Sequence, residues 1–284
     1  MKLDMQKIYI DSRFRTANSK SESDFTVELP RSFNVPDGVV AHIDDIVIPV
    51  SWRTVDERNN KCFVNFYSTY NGSMTNFEQN FTVPPGNYDG TQFAAAFQVG
   101  LTAAAAGHIS TVNPTPTFVC AYSVRDNYIS ISIVDERSGP TKNAMPYTMQ
   151  IYTDTELTES KKDLFPHTVN TMLRITQPTV ITETAPYNSY LDLFNIRNLY
   201  LTSSALASYD TVSNFGMDTI IKKIPCTAVY NRMIFQSSGS TLDGLDVSKR
   251  TLRYLDFKLV DTSFRPIDLQ ENHFSFSILF VQKR

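Results

Sequence analysis

Strict alternation of apolar and polar residues recurs along this chain and constrains its fold more than any other feature. Between Tyr128 and Ile133, isoleucine and serine alternate without exception. In an earlier segment the apolar members of the alternation are Phe25, Val27 and Leu29. A period of two places successive side chains on opposite sides of a β-strand. The pattern therefore predicts strands that each bury one face.

Composition agrees with a β-rich globule. Aromatic residues make up 12% of the 284 residues, and such residues are enriched in β-strands. Apolar residues at 42% and charged residues at 19% are typical of a folded domain. The net charge of −3 supplies no positive field to attract phosphate backbones or anionic lipid, so specific nucleic-acid binding is not expected.

One segment, residues 89–106, predicts a helix. Asp89 and Gln92 stand at the N-cap and N3 positions of a capping box, and Gly107 can supply a left-handed C-terminal cap. The uncharged stretch 93–109 is mostly alanine, which predicts a half-buried helix of a globular fold and no membrane span. The charged first residues do not resemble a signal peptide.

The other segments are expected to be mostly strands. Strands are predicted at 25–29 (ended by Pro30), 39–50, 62–70, 77–83, 118–124, 128–133, 147–152, 170–176, 196–201, 219–224, 229–235, 252–260 and 274–281. A short helix is expected at 154–164, opened by Asp154, and a hairpin turn at Asn71-Gly72. Many strands with one main helix and no βαβ alternation predict an all-β fold, a single jelly-roll β-sandwich. The final strand is expected to be central.

The expected domain organisation is an N-terminal arm at residues 1–23 followed by a jelly-roll domain at residues 24–284. Residues 138–186 carry the weakest secondary-structure pattern in the chain. An insertion is expected somewhere within about 85–186. The polar run before residue 23 indicates an arm that leads into the fold.

No residue pattern points to catalysis or to a metal, so we expect neither enzymatic activity nor a cofactor. The histidines, His42, His108, His167 and His273, lack metal-ligand spacing, and the histidine cluster of cupin enzymes is missing. The cysteines, Cys62, Cys120 and Cys226, are far apart, which predicts reduced and packed thiols. The pair Asp44-Asp45 can act together only if a β-bulge turns both carboxylates to one face.

The most suggestive basic cluster is Arg13, Phe14 and Arg15. Two arginines neutralise few phosphates, so a nucleic-acid contact is a weak explanation for them. A solvated arm, or an arm docked on the acidic surface of a neighbouring subunit, fits the composition better. We therefore take these three residues as candidates for subunit assembly.

A series of short strings carries a resemblance to a known family. The strings are IYIDSR at 8–13, SDFTVELP at 23–30, VPPGNY at 83–88, residues 193–201, IIKKIP at 220–225, DVSKRTL at 246–252, LDFKL at 255–259 and FSFSI at 274–278. In this order they resemble the penton, or vertex minor capsid protein, of virophages and of the related Polinton/Maverick elements. The resemblance covers most of the chain except roughly residues 138–186.

This resemblance implies a structural role at the vertex of an icosahedral capsid. The chain would form a homopentamer of single jelly rolls, and its neighbours would be trimeric double-jelly-roll major capsid proteins. An insertion would project outward from the jelly roll, and the arm with Arg13 and Arg15 would engage neighbours on the inner side. The protein would then belong to the virion, after assembly inside the host cell.

Two other functions remain open on the residues alone. A jelly roll can be a carbohydrate-binding or receptor-binding module, in which exposed aromatics such as Tyr187 and Tyr190 stack on sugars. An enzyme on a sandwich scaffold is the other alternative, and the missing histidine cluster argues against it.

Overall fold

The chain divides into two compact units, and one of them is inserted into the other. The structure, a computed structural model, describes residues 5–70, 73–106, 116–136, 147–160, 168–194, 196–208, 219–237 and 244–282. The terminal unit consists of Met1–Trp52 and Ile196–Arg284, and the inserted unit is Arg53–Asn195. Trp52 and Ile196 both pack on the core of the terminal unit, so the chain leaves that core and returns to it.

The elements follow one another in chain order across the two units. The terminal unit begins with β1 (Met5–Asp11), a 3-10 turn (Ser12–Phe14), β2 (Asp24–Asn34) and β3 (Val39–Pro49). The inserted unit contains β4 (Lys61–Tyr70), β5 (Ser73–Thr82), α1 (Gly90–Ala106), β6 (Thr117–Ser123), β7 (Tyr128–Val134), β8 (Thr148–Ile151), α2 (Asp154–Ser160), α3 (Val169–Met172), β9 (Val180–Ile181) and β10 (Tyr187–Tyr190). The terminal unit resumes with β11 (Asn198–Thr202), β12 (Ile220–Pro225), β13 (Met233–Ser237), β14 (Leu245–Asp246), β15 (Thr251–Val260) and β16 (Ser275–Gln282).

Two antiparallel sheets share the core of the terminal unit. The β16 sheet has the order β1–β16–β3–β13, and β14 also pairs with β3. The β15 sheet has the order β12–β11–β15–β2. Phe257 of β15 meets Phe276 of β16 edge to face, with ring centroids 4.8 Å apart, so the inner faces of the two sheets interdigitate. Each sheet thereby buries one face, as the alternating pattern predicts.

The inserted unit has its own core, which a helix and two further antiparallel sheets enclose. The β7 sheet has the order β10–β7–β6, and the β4 sheet has the order β5–β4–β8–β9. The ring of Phe97 on α1 packs against Phe81 of β5 at a centroid distance of 5.1 Å. Phe66 and Phe118 join β4 to β6 in the same cluster. Strands dominate and every described pairing is antiparallel, which confirms the expected all-β class.

The two late strands with the clearest patterns behave as predicted. β16 pairs with β1 on one side and β3 on the other, so it is central in its sheet. On β15, Leu255, Phe257 and Leu259 are fully buried, while Tyr254 on the opposite face is 57% exposed. Period-two alternation therefore identified the buried face correctly.

Pro30 does not end its strand, contrary to the prediction. β2 continues to Asn34, and the residue register against β15 shifts between Glu28 and Phe33. Pro30 lies in this irregular stretch, where the backbone N–H that proline lacks is not needed by the ladder. The tertiary pairing thus accommodates a residue that local rules treat as a terminator.

The helix predictions are partly confirmed. In the capping box of α1, the Gln92 backbone N–H donates to Asp89 Oδ1 at 2.8 Å and the Asp89 N–H donates to Gln92 Oε1 at 3.2 Å. Helix α2 begins at Asp154, as predicted, and the residue before it caps the helix, because Glu156 N–H donates to Thr153 Oγ1 at 3.2 Å. The cap predicted at Gly107 and the turn at Asn71-Gly72 lie outside the described residues, although β4 and β5 do pair as a hairpin.

The strand predicted at 170–176 is wrong, because residues Val169–Met172 form the short helix α3. The boundaries expected for the arm and the insertion also differ from those of the compact units. Residues 5–11 of the expected arm form β1 in the β16 sheet. The inserted unit spans Arg53–Asn195, wider than 85–186, because it also includes the paired strands β4 and β5.

Candidate assembly surface

The first candidate residue, Arg13, lies in the 3-10 turn that follows β1. The Asp11 carboxylate caps this turn by accepting a hydrogen bond from the Arg13 backbone N–H at 2.9 Å. The same carboxylate binds the Arg13 guanidinium, with Nη2 2.5 Å from Oδ2. Hydrogen bonding from Arg13 lowers the pKa of Asp11, since it stabilises the carboxylate form.

Arg15 is also bonded within its own chain. Its Nη2 lies 2.7 Å from Glu22 Oε1, and its Nη1 donates to the Ser12 carbonyl at 3.2 Å. Between the two arginines, Phe14 is 77% exposed, with the Arg13 Cζ atom 5.9 Å from its ring centroid. Of the three candidates, Phe14 is therefore the side chain that the terminal unit leaves most open to a partner.

Asp44 and Asp45 occupy a β-bulge on β3. The register shift against β16 leaves both residues opposite one residue, Ser277. Ile43 and Ile46 on either side of the pair are buried, so both aspartates lie toward the outer face of the sheet. The bulge that the sequence analysis required for the two carboxylates to act together is present.

The partners of these carboxylates indicate a structural use. Lys7 Nζ lies 2.6 Å from Asp44 Oδ2, and the Ser277 hydroxyl donates to Asp45. The hydrogen bond to Asp44 raises the pKa of Lys7, since the carboxylate stabilises its charged form. These contacts join β1, β16 and β3 across the outer face, so the two bulge residues help to hold the three strands together.

Large apolar side chains lie exposed on this same outer face. Tyr9 on β1 is 75% exposed, and Met233 and Phe235 on the edge strand β13 are 54% and 67% exposed. Phe235 lies directly opposite Val47 of β3. A groove of about 290 Å³ passes between Tyr9, Phe14 and Val47. Clustered exposed apolar residues of this kind mark interaction surfaces in folded proteins.

The outer face of the β15 sheet has a different character. Arg253 Nη2 lies 2.6 Å from Glu28 Oε1, and Lys258 Nζ lies 3.5 Å from Asp24 Oδ2. Tyr254, also on this outer face, is the exposed aromatic residue of β15. The terminal unit thus presents one face with exposed apolar side chains beside the Lys7–Asp44 ion pair, and one face of ion pairs around a tyrosine.

The sequence analysis did not single out Tyr9, Met233 or Phe235. A usable signal was present in 233–235, where methionine, isoleucine and phenylalanine follow one another in a predicted strand. A strand that is apolar on both faces is expected to be covered on both faces. Ile234 is buried in the core, so Met233 and Phe235 on the opposite face of the strand are exposed to contact with another molecule.

The three cysteines are free thiols held in their neutral form. Cys62 and Cys120 are buried in the inserted unit, and Cys226 is partly buried in the terminal unit. Burial raises the pKa of Cys120 to about 12 and that of Cys226 to about 11, because desolvation disfavours the thiolate. Burial also raises the pKa of Cys62.

Alkylation measures this protection directly. At pH 8 we expect iodoacetamide to modify the cysteines of the native chain at least about 100-fold more slowly than those of the urea-unfolded chain, because only the thiolate reacts. Peptide mass spectrometry after timed quenching gives the rate at each site. Equal rates at Cys120 in the native and unfolded chains would contradict the burial seen here.

The remaining titratable groups do not assemble into a metal site within the described segments. No group of three or more histidine, cysteine, aspartate or glutamate side chains lies close enough to hold an ion there. His273 Nδ1 lies 3.3 Å from the Ser12 hydroxyl, and His108 and His167 are outside the described residues. Among the helices that the structure describes, none has the length and apolar character needed to cross a membrane.

The chain matches no protein-family model and no curated protein.

Proposed function

We propose that the terminal unit is a single jelly roll. Its described part has eight strands in chain order if β13 and β14, which both lie alongside β3, count as one. One sheet then has the order 1-8-3-6 and the other has the order 2-7-4-5. This order supports the proposal, because an eight-stranded jelly roll wraps two Greek keys into two facing sheets.

We propose further that the chain is a structural capsid subunit that forms the pentameric vertex of an icosahedral particle. Its partners would be four copies of itself in the ring and a double-jelly-roll major capsid protein around it. The resemblance to virophage and Polinton/Maverick pentons motivates this proposal. Jelly rolls are widely used in viral capsids, and the inserted unit interrupts this one without breaking its core.

The observation that carries the proposal is the exposed apolar surface formed by Tyr9, Phe14, Met233 and Phe235. A closed ring needs head-to-tail contacts, in which two different patches of each subunit meet. The outer face of the β16 sheet provides one patch. The outer face of the β15 sheet, with Tyr254 among ion pairs, is the second patch of different chemistry.

The test is the solution mass of the purified chain, followed by negative-stain imaging. We expect concentration-dependent rings with a mass near five times 32.2 kDa. Phe235→Asp places a charge in the apolar patch, and we expect it to weaken assembly by at least about 30-fold, as loss of an interface hot spot does. Phe235 is exposed, so the variant should fold normally.

Tyr190→Ala serves as the matched control, because it removes an exposed aromatic residue from the inserted unit instead. This control should assemble as the wild type does. A wild-type chain that stays monomeric at every concentration, salt and pH would contradict the proposal. So would rings that Phe235→Asp leaves intact.

A further inference from the structure

The outer face of the β7 sheet in the inserted unit carries a groove with aromatic and polar walls. Tyr190 of β10 lies directly opposite Tyr128 of β7, which lies opposite Ser123 of β6. In the next row, Asn188 lies opposite Ser130. The groove measures about 350 Å³, within the range of small-molecule sites of about 300–1,000 Å³.

Tyr128 lines the groove, and the ring of Tyr190 packs against it from the neighbouring strand. Their ring centroids are 4.3 Å apart with an interplanar angle of 32°, so Tyr190 covers one face of Tyr128 and supports it. A side-chain hydrogen bond with Tyr190 raises the pKa of Tyr128. The face of an aromatic ring is partly negative and attracts the partly positive C–H groups of a sugar ring.

Polar groups line the groove beside Tyr128. They come from Ser123, Asp126, Ser130 and Asn188, with the small residue Ala121 beside them. Ser123 Oγ donates to Asp126 Oδ2 at 2.9 Å, which orients the carboxylate. Carboxylate, amide and hydroxyl groups provide both donors and acceptors, and a ring of sugar hydroxyls requires both.

The buried face of β7 and the β6–β7 turn hold the groove rigid. Ile129 and Ile131, on the other face of β7, are fully buried in the core of the inserted unit. At the β6–β7 turn, Asn127 adopts a positive φ of 55° and its Nδ2 donates to the Leu191 carbonyl at 3.2 Å. The Tyr122 hydroxyl donates to Asn127 Oδ1 at 2.7 Å. Rigid walls lower the entropic cost of binding.

Gly90 at the start of α1 makes room for the ring of Tyr122. A Cβ atom at Gly90 would lie 2.2 Å from that ring, closer than packed atoms can approach. Glycine there therefore lets Tyr122 pack beneath the turn and brace Asn127. The aromatic end of the groove thus depends on contacts from three separate segments.

We propose that this groove binds neutral carbohydrate, with one sugar ring stacked on Tyr128 and its hydroxyls bonded to Asn188 and Asp126. The carboxylate of Asp126 and the lack of a cation among the described lining residues disfavour anionic sugars. A protein partner fits less well, because interface hot spots need an extended, dehydrated apolar centre. Tyr187, the other tyrosine suggested by the sequence, is half-buried and its hydroxyl lies 3.4 Å from the Leu173 carbonyl.

The experiment uses the full chain and a broad array of neutral glycans, with sialylated glycans as anionic comparators. Hits are then titrated as free oligosaccharides by calorimetry. We expect at least one neutral glycan to bind with a dissociation constant of about 0.1–10 mM. Tyr128→Ala should weaken that binding at least about 10-fold, and Asn188→Ala should weaken it by a smaller factor.

Val119→Ala is the matched control, because Val119 is exposed on the same face of β6 but does not line the groove. Its affinity should stay within about twofold of the wild type. The proposal is overturned if no neutral glycan binds, if only sialylated glycans bind, or if Tyr128→Ala leaves binding unchanged. A Tyr128-dependent rise in mass without glycan binding would instead assign the groove to a protein partner.

The groove lies on the inserted unit, whereas the proposed ring contacts lie on the terminal unit. We therefore expect Phe235→Asp to lose its rings and keep its glycan affinity, and Tyr128→Ala to keep its rings and lose that affinity. Each proposal can thus fail without the other.

Discussion

Replacing Asn170 by alanine is expected to destabilise the inserted unit by about 3 kcal/mol or more. The Asn170 side chain is 1% exposed and bonds three backbone groups. Its Oδ1 accepts from the Phe63 N–H at 2.9 Å, and its Nδ2 donates to the carbonyls of Phe63 at 2.9 Å and Tyr152 at 3.1 Å. The amide therefore continues the β4–β8 ladder where the two strands part.

Alanine removes the partner of two buried backbone groups. The Phe63 carbonyl keeps a hydrogen bond from the Tyr152 N–H at 3.2 Å, but the Phe63 N–H and the Tyr152 carbonyl lose the bonds that Asn170 supplies. A buried polar group without a partner costs about 1–3 kcal/mol. Most of the expected loss arises from these two groups.

Native-state hydrogen exchange measures this effect within the full chain. In Asn170→Ala, peptides from β4 and β8 should lose protection, whereas peptides from β15 and β16 should keep it because they belong to the other unit. Asn188→Ala, at an exposed position, should stay within about 0.5 kcal/mol of the wild type. Unchanged protection of β4 in Asn170→Ala would refute this assignment.

Replacing Phe257 by alanine is expected to destabilise the terminal unit by about 3–5 kcal/mol, the usual cost of removing a buried phenylalanine. Phe257 is fully buried between the sheets. Its ring centroid lies 4.8 Å from that of Phe276 and 5.7 Å from that of Phe25. The substitution removes both aromatic contacts and leaves a cavity between two sheets that cannot close around it.

Tyr254→Ala is the matched control for this variant. Tyr254 is on the same strand and of similar size, but it points to the exposed face. In the unassembled subunit, its loss should change the free energy of unfolding by no more than about 0.5 kcal/mol. Urea unfolding of both variants, followed by hydrogen exchange in β15 and β16, gives the comparison. Equal losses for the two variants would show that Phe257 does not anchor this core.

Patterns between neighbouring residues predicted much of the secondary structure. The alternation in 128–133 identified β7 and its buried isoleucines, and the capping box at Asp89 and Gln92 located the start of α1. Both signals act over a few residues, so they do not depend on the rest of the fold. The helix α3 was not predicted, because its key residue, Asn170, is held by hydrogen bonds to Phe63, which lies 107 positions away in the chain.

The candidate sites were predictable only in part. Arg13, Phe14 and Arg15 stood out as a cluster, but the partners of the arginines, Asp11 and Glu22, emerged from the folded turn. On the inserted unit, the carbohydrate-binding alternative named Tyr190 as an exposed aromatic residue. Its stacking partner Tyr128 was not named, because the two residues meet only when β10 pairs with β7.

The sequence by itself determined that this chain forms amphipathic strands with one long capped helix, since propensity, alternation and capping are local properties. Only the tertiary structure decided where the inserted unit begins and ends, and that Pro30 and Asp44-Asp45 lie in irregular parts of their ladders. The physical reason is that strand pairing joins residues far apart in the chain. β1 pairs with β16, and the free energy of such a contact depends on both partners.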